Sequence, residues 1–183
     1  MFCDIIDLLQ GERKFEFDGE NEFLSNFYHS PIFYEGIVYP TNEHFFQAMK
    51  TLNLKEREAI AAAPTPGVAK RMGRKVQLRS DWEDVKIEVM KKGLELKFRD
   101  YELAQKLIDT GDEELIEGNW WNDTYWGVCN GIGKNMLGKL FECEADKKKK
   151  YYRVIQTIKE YRDGKKLKKL PGGLHSPDSP SPH

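Results

Sequence analysis

Two patterns of hydrophobic and polar residues divide this chain, and the change from one to the other falls at Thr41. Residues 15–40 are rich in aromatic and β-branched side chains and are interrupted by glycines and prolines, a composition typical of short strands and turns. Beyond this point apolar residues recur at intervals of three and four, which favours helices. We therefore expect an α+β fold, a mostly helical single domain with a small antiparallel sheet from its N-terminal third.

The first helix is predicted to begin after Thr41, whose hydroxyl can cap free N–H groups at a helix start. The segment NEHFFQAMKTLNLKEREAIAAA predicts one helix from Asn42, bent around Asn53. A short helix follows, with Thr65 as its cap and Pro66 in its first position.

A longer helix is predicted to begin at Ser80, because Ser80 and Glu83 have the spacing of a capping box. Its buried stripe is expected to consist of Trp82, Val85, Val89, Gly93 and Leu96. Further helices are predicted over residues 101–110, stopped by Gly111, and over residues 135–161. A short strand is expected at EELIEG between them.

The predicted organisation is an N-terminal segment over 1–14, one domain over 15–163 and a disordered tail over 164–183, which is rich in Pro, Ser and Gly. Residues 147–170 hold eleven Lys and Arg against two acidic residues, whereas the whole chain has a net charge of −1. This basic stretch could contact nucleic acid through phosphates, or it could be the solvated face of a terminal helix.

The beginning of the sequence has no basic segment leading into an apolar core, and no apolar run approaches the roughly 20 residues that span a bilayer. Three widely spaced cysteines, Cys3, Cys129 and Cys143, form neither a disulfide framework nor a zinc pair. The four histidines also lack metal-ligand spacing. We expect a cytoplasmic protein with no metal, no cofactor, no membrane contact and no obligate protein partner.

The first candidate site consists of the segment FLSNFYHSP and the helix after Thr41. Glu43, Gln47 and Lys50 are spaced i, i+4 and i+7 and therefore project from one face. The other face carries residues suited to the core, namely Phe45, Met49 and Leu52. The helix dipole favours the ionised form of Glu43 unless burial opposes it, and a carboxylate near a lysine suits general-base chemistry. An ordinary Glu–Lys helix surface is the alternative interpretation.

The second candidate is residues 116–142, where acids, glycines and aromatic residues precede a helix. Glu117 and Asp123 supply carboxylates, and the helix beginning near Asn135 offers free N–H groups to a phosphate. The side chains that could stack on a base are Trp120, Trp121, Tyr125 and Trp126. The glycine spacing fits neither a dinucleotide fingerprint nor a P-loop. The alternative is an aromatic-rich structural turn.

Other residues give weaker signals. Four basic residues could clamp a phosphate or form an exposed helix face, namely Lys70, Arg71, Arg74 and Lys75. Trp82 fits the core better than a ligand platform, and Cys129 has no neighbouring base that would make it a nucleophile.

Four segments together resemble the NADAR (NAD and ADP-ribose) family, also called YbiA-like. They are GENEFLSNFYHSP, GIVYPTNEHFFQAMK, AKRMGRKVQLRSDWEDVKIEVMKKGLELKF and NDTYWGVCNGIGKNMLGKLFE, in the order and spacing of the family. The resemblance covers about residues 15–145 and implies a YbiA-like fold. It also implies an N-glycosidase whose substrate is a phosphorylated ribosyl or ADP-ribosyl compound, free or on nucleic acid.

The resemblance further implies which residues form the site, with Glu43, Lys50 and Asp123 as the catalytic ones. The expected substrate-binding residues are Asn26, Phe27, Gln47, Arg71, Gly73, Trp82, Trp126, Gly127, Gly133, Asn135, Leu137 and Gly138. By analogy with two-carboxylate glycosidases, Glu43 would activate water or stabilise charge, and Asp123 would be a second acid or a ribose ligand. In a rival route Lys50 attacks the anomeric carbon and forms a Schiff base.

One departure from the family bears on the substrate. Bacterial members of the riboflavin-intermediate type read W-G-D-G-G, whereas this chain has Val128 in place of the acid. ADP-ribose attached to guanine is therefore the leading expectation. Hydrolysis of ribosylaminopyrimidine phosphates from the riboflavin pathway, and non-catalytic binding of NAD or ADP-ribose, are the alternatives.

Overall fold

The structure, a computed structural model, describes residues 19–162 of the chain, with side chains as far as residue 159. The chain divides into two compact units, Met1–Lys148 and Lys149–His183. In chain order the described elements are a 3₁₀ helix (Gly19–Leu24), strands β1 (His29–Tyr34) and β2 (Ile37–Thr41), and helices α1 (Asn42–Ala48), α2 (Leu54–Ala61), α3 (Pro66–Gly73), α4 (Trp82–Lys97), α5 (Tyr101–Asp109) and α6 (Met136–Arg162). The predicted fold class, mostly helical with a small antiparallel sheet, is confirmed.

The sheet is a hairpin of β1 and β2, in which Ile32 pairs with Tyr39 and both side chains are buried. Glu35 and Gly36 form the turn with φ values of 49° and 82°, the left-handed conformation that a two-residue hairpin turn needs. Of the segment 15–40, predicted to form short strands and turns, residues 15–18 lie outside the described residues.

Helix α1 lies at the centre of the first unit, and all seven of its residues are buried. The predicted cap is confirmed, since the Thr41 hydroxyl accepts a hydrogen bond from the His44 N–H at 3.3 Å. Phe45 packs edge-on against Tyr34 and Tyr39, with ring centres 5.3 and 5.5 Å apart. These contacts fix α1 against the hairpin and direct its remaining face toward α3 and α4.

The single bent helix predicted from Asn42 is wrong, because two separate helices, α1 and α2, occupy that segment. Polar side chains between them bond locally and replace the helical pattern. The Thr51 hydroxyl accepts from the Asn53 N–H at 3.1 Å, and the Asn53 side chain caps α2 by accepting from the Lys55 N–H at 3.0 Å. Leu52, predicted to be in the core, is consequently 66% exposed in this connection.

The capping box predicted for Ser80 and Glu83 is also wrong. Asp81 is the residue that precedes α4, and it makes no side-chain cap. Its carboxylate instead forms a two-pronged ion pair with the Arg79 guanidinium, with N–O distances of 2.6 and 2.8 Å. The Glu83 carboxylate bonds to the Lys86 ammonium, so neither acid is available to the free N–H groups of the helix.

The remaining predicted helices are confirmed. The Thr65 hydroxyl caps α3 by accepting from the Val68 N–H at 3.2 Å, and α5 ends at Asp109 just before Gly111, whose φ is 70°. No strand forms at EELIEG within the described part of the chain, although Leu115 and Gly118 each take part in an isolated bridge, Gly118 with Val128.

In the second unit, α6 continues to Arg162, and each side chain described there is exposed or half-buried. The basic stretch 147–170 extends past the described residues, so both interpretations of it stay predictions. The predicted tail also lies outside them. Over residues 19–162 no helix has the length and apolar character required to cross a membrane.

Candidate active site

A cavity of about 460 Å³ opens beside α1. Its walls come from α1 and the residue pair that follows it, the turn before β1, helices α3 and α4, the loop before α6, and the first turn of α6. The lining residues are Ser25, Asn26, Phe27, Glu43, Phe46, Gln47, Lys50, Lys70, Met90, Glu117, Trp121, Asp123, Trp126 and Leu137. The two segments that the sequence singled out therefore meet at one cavity.

Glu43 lies in the first turn of α1, where it is only 5% exposed. Its Oε1 accepts a hydrogen bond from the Gln47 side-chain amide at 2.8 Å, one turn along the helix. Burial raises the pKa of the Glu43 carboxyl, while Lys70, the Gln47 hydrogen bond and Lys50 oppose that rise. The raised pKa makes the Glu43 carboxylate a stronger base than a surface glutamate.

Lys50 follows α1, and its Nζ lies 5.8 Å from the ring centres of both Phe46 and Trp82. Burial lowers the pKa of the Lys50 ammonium, although the nearby Glu43 carboxylate favours the charged form. Trp82 is buried and packs edge-on against Phe46, with ring centres 5.1 Å apart. Trp82 thus lies beside Lys50 but does not line the cavity.

Asp123 is held rigidly within the loop before α6. Its Oδ1 accepts from the backbone N–H groups of Tyr125 and Trp126 at 3.1 and 2.9 Å. The Asn119 side chain bonds both the N–H and the carbonyl of Asp123, at 2.9 and 2.8 Å. This turn fixes the position of the Asp123 carboxylate on the cavity wall without help from a helix or strand.

Glu117 supplies a third carboxylate to the cavity. Its N–H donates to the Asn135 side chain at 3.1 Å, and its carbonyl accepts from the Val128 N–H at 2.8 Å. Burial raises the pKa of the Glu117 carboxyl to about 7; the negative charges of Asp123 and Glu43 also raise it, while Lys70 and Lys97 lower it. Near neutral pH both the protonated and the ionised forms of this carboxyl are therefore accessible.

Aromatic and cationic side chains form the outer part of the cavity. The Lys70 Nζ lies 5.8 Å from the ring centre of Phe27 and 5.6 Å from that of Trp121. Trp126 packs edge-on against Phe46, with ring centres 5.4 Å apart. Flat rings beside an ammonium group suit a base together with a phosphate.

Eight of the residues expected to act in the site line this cavity, namely Asn26, Phe27, Glu43, Gln47, Lys50, Asp123, Trp126 and Leu137. The seven others do not line it: Arg71, Gly73, Trp82, Gly127, Gly133, Asn135 and Gly138. Arg71 is exposed on α3. The roles in catalysis and substrate binding stay predictions for both groups.

Close backbone packing accounts for three of the four glycines of the second group. A Cβ at Gly127 would lie 2.2 Å from the Glu117 carbonyl oxygen, and one at Gly133 would lie 2.1 Å from the Gly127 carbonyl oxygen. A Cβ at Gly138 would lie 1.9 Å from the carbonyl oxygen of Leu115. These glycines let the loop fold tightly around the segment that carries Glu117.

Three lining residues were not singled out individually from the sequence, namely Ser25, Phe46 and Met90. Phe46 lies three positions after Glu43, so the helical spacing could have placed it on the same face. Met90 gave no such signal, because it comes from α4, and its sulfur accepts from the Asn26 and Asn42 side-chain amides at 3.7 and 3.4 Å. Glu117, Lys70 and Trp121 were considered but not assigned to the site.

No three His, Cys, Asp or Glu side chains within residues 19–162 are grouped so that they could hold a metal ion. The two cysteines described, Cys129 and Cys143, are both free.

Several known proteins are similar to this chain in sequence, and one solved structure is similar in fold. An N-glycosidase YbiA from Shigella flexneri serotype 5b is 48% identical over 121 residues, which are 64% of this chain and 75% of that protein. A riboflavin biosynthesis protein from Vibrio vulnificus is 33% identical over 150 residues, which are 79% of this chain and 41% of that protein. The NMR structure of YbiA from Escherichia coli matches with a TM-score of 0.66 and 40% identity, over 74% of this chain and 85% of that one.

A family model described as the NADAR domain matches residues 14–143, which include every residue that lines the cavity. The predicted resemblance is thereby confirmed in both sequence and fold. This chain belongs to the NADAR domain family.

Proposed function

We propose that this protein hydrolyses the N-glycosidic bond of a phosphorylated ribosyl compound, with ADP-ribose on guanine as the leading substrate. As a member of a family whose curated relatives include N-glycosidases, the chain is a hydrolase that acts on N-glycosyl bonds. One observation carries the proposal for this site: Glu43, Lys50 and Asp123 line a single cavity with aromatic walls.

The cavity chemistry suits a reaction in which positive charge develops on the sugar. Cleavage of an N-glycosidic bond passes through an oxocarbenium-like state at the anomeric carbon, which nearby carboxylates stabilise. In the proposed mechanism Glu43 removes a proton from the attacking water, and Gln47 holds the Glu43 carboxylate in place. Asp123 stabilises the charge or binds a ribose hydroxyl.

A second route uses Lys50 as the nucleophile. In it the lysine amine attacks the anomeric carbon, and a Schiff base forms with the opened sugar. The lowered pKa of Lys50 supports this route, because only the neutral amine is nucleophilic. Both routes cleave the same bond, so they differ in intermediate and not in product.

Two features bear on the choice of substrate. Lys70 beside Phe27 and Trp121 suits a phosphorylated compound that carries a flat base, and a volume of about 460 Å³ is within the usual range for small-molecule sites. The Val128 side chain supplies no acid, which favours ADP-ribosyl guanine over riboflavin intermediates. The 33% identity to a riboflavin biosynthesis protein supports the second candidate, hydrolysis of ribosylaminopyrimidine phosphates.

A panel assay tests the proposal. The purified protein is incubated separately with DNA bearing ADP-ribosylated guanine, with ribosylaminopyrimidine phosphates and with NAD, and the products are read by mass spectrometry. Release of unmodified guanine in DNA together with free ADP-ribose is the expected result. Cleavage of the pyrimidine compounds alone would favour the second candidate. Binding of ADP-ribose by calorimetry, with no cleavage of any compound, would refute catalysis and leave a binding module.

A further inference from the structure

The third carboxylate in the cavity has no part in the mechanism described above. We propose that Glu117 is the general acid, which donates a proton to the departing nitrogen of the base. This inference rests on the proposed function, because it assigns a role within the same reaction. It divides the work between two sides of the cavity: α1 supplies the general base, Glu43, and the loop before α6 supplies the general acid.

Geometry distinguishes Glu117 from the other two carboxylates. An oxygen of Glu43 accepts a hydrogen bond from Gln47, and an oxygen of Asp123 accepts from two backbone N–H groups. Over the part of the chain that the structure describes, the Glu117 carboxyl has no such partner, although its backbone is held on both sides by Asn135 and Val128. A fixed backbone with a free carboxyl group facing a cavity is the arrangement that a proton donor requires.

The charges around Glu117 favour its protonated form. Asp123 on its own loop and Glu43 on α1 are the negative groups that face it, and Lys70 on α3 and Lys97 on α4 are the positive ones. Three carboxyl groups in one cavity do not all ionise readily, because like charges repel. Glu43 accepts the Gln47 hydrogen bond and has Lys70 and Lys50 beside it, which favour its ionised form, whereas the Glu117 carboxyl accepts no such hydrogen bond in the described part of the chain.

The proposed step balances as follows. The bond between the anomeric carbon and the base nitrogen breaks, and its electron pair stays on the nitrogen, which takes the Glu117 proton. The water oxygen bonds to the anomeric carbon, and the water proton passes to the Glu43 carboxylate. Exchange with solvent then returns a proton to Glu117 and removes one from Glu43. The departure step is the same if Lys50 replaces water as the nucleophile.

The test compares the wild-type protein with Glu117→Gln on ADP-ribosylated guanine DNA and on a ribosylaminopyrimidine phosphate, with kcat measured from pH 5 to 9. An acid must be protonated to act, so wild-type kcat should fall as the pH rises through about 7. Glu117→Gln should lower kcat at pH 6 by about 10²-fold and abolish this fall. Lost activity without a changed pH profile would indicate a structural role and overturn the inference.

Two further variants keep the test decisive. Glu114→Gln changes an exposed acid on the same segment and should retain wild-type kcat and pH dependence. Glu117→Asp keeps an acid in place, so it should retain the alkaline fall even if its kcat is reduced. If kcat of Glu117→Gln still falls as the pH rises through about 7, the fall belongs to another group, such as Lys97, and the inference is overturned. A wild-type protein that cleaves neither compound would overturn the proposed function itself, whereas an active Glu117→Gln would overturn this inference alone.

Discussion

Gly73 on α3 lies so close to Gln47 on α1 that a Cβ at Gly73 would come within 2.1 Å of the Gln47 Oε1. The Gln47 side chain is buried between the two helices, and its amide nitrogen donates to the Glu43 carboxylate at 2.8 Å. The absence of a side chain at position 73 therefore determines where the carboxylate of Glu43 lies. A residue outside the cavity lining thus affects the geometry inside it.

The first prediction follows from that contact. Gly73→Ala should displace Gln47, destabilise the fold by about 1–3 kcal/mol, and lower kcat by about 10-fold to 10²-fold as Glu43 shifts. Denaturant unfolding and steady-state kinetics would measure the two effects. Gly67→Ala on the same helix is the control, because the nearest atom to its added Cβ is 3.9 Å away. Wild-type kinetics in Gly73→Ala would contradict the link between these helices.

The second prediction concerns the proposed base. Glu43→Gln keeps the size of the side chain but removes its basicity, so kcat should fall by about 10²-fold or more while the protein stays folded. Circular dichroism would check the fold, and product release would measure kcat. Glu58→Gln on α2 changes an exposed glutamate and should have no effect. Turnover close to that of the wild type in Glu43→Gln would rule out acid–base work at this position.

The third prediction separates the water route from the lysine route. If Lys50 forms a Schiff base, borohydride added during turnover should reduce it to a stable adduct. The mass of the protein should then increase by the reduced ribosyl part of the substrate. Lys50→Met should abolish this adduct, whereas Lys55→Met, which alters an exposed lysine, should not. Peptide mapping would locate the modified residue. Full turnover with no trapped adduct would support water as the nucleophile.

The fourth prediction concerns Lys97, which is buried and donates to the carbonyl oxygens of Ser25 and Leu24 at 2.8 and 3.3 Å. Burial lowers the pKa of Lys97 to about 7, against about 10.4 in the unfolded chain. Above pH 7 the folded protein therefore binds fewer protons at this site than the unfolded chain does. The contribution of Lys97 to the free energy of unfolding should consequently rise with pH between about 7 and 10.

Urea unfolding at a series of pH values would measure this rise. Lys97→Met should remove the increase above pH 7, although it also loses two hydrogen bonds and lowers stability throughout. Lys91→Met, which alters a more exposed lysine on the same helix, should keep the wild-type pH dependence. An unchanged slope in Lys97→Met would show that another group titrates there.

The sequence predicted the parts of the site that depend on local rules. Helical spacing placed Glu43, Gln47 and Lys50 on one face, and the hydroxyl caps of Thr41 and Thr65 marked two helix starts. Each of these depends on residues within a few positions of one another, so periodicity and cap chemistry are sufficient.

The parts that the sequence did not predict depend on competition between side chains for the same partner, or on contacts between residues far apart along the chain. Arg79 takes the carboxylate of Asp81, which removes a cap that the local pattern would allow. Asn53 begins a new helix where periodicity would continue the old one. Met90 reaches the cavity from a helix more than forty residues beyond Glu43, and no pattern within α4 marks it as a lining residue.

The loop before α6 is held at its ends by the side-chain amides of Asn119 and Asn135, and between them it carries Trp120, which is 87% exposed, and Trp121. Glu43 in α1 and Lys50 just after it are positioned independently of that loop. Under the proposed function, the tip between the two anchors can therefore vary and change which base is admitted, because the proposed catalytic residues lie outside residues 120–122. Under the proposed function, exchanging residues 120–122 between relatives should accordingly shift base preference while Glu43 and Lys50 stay in place.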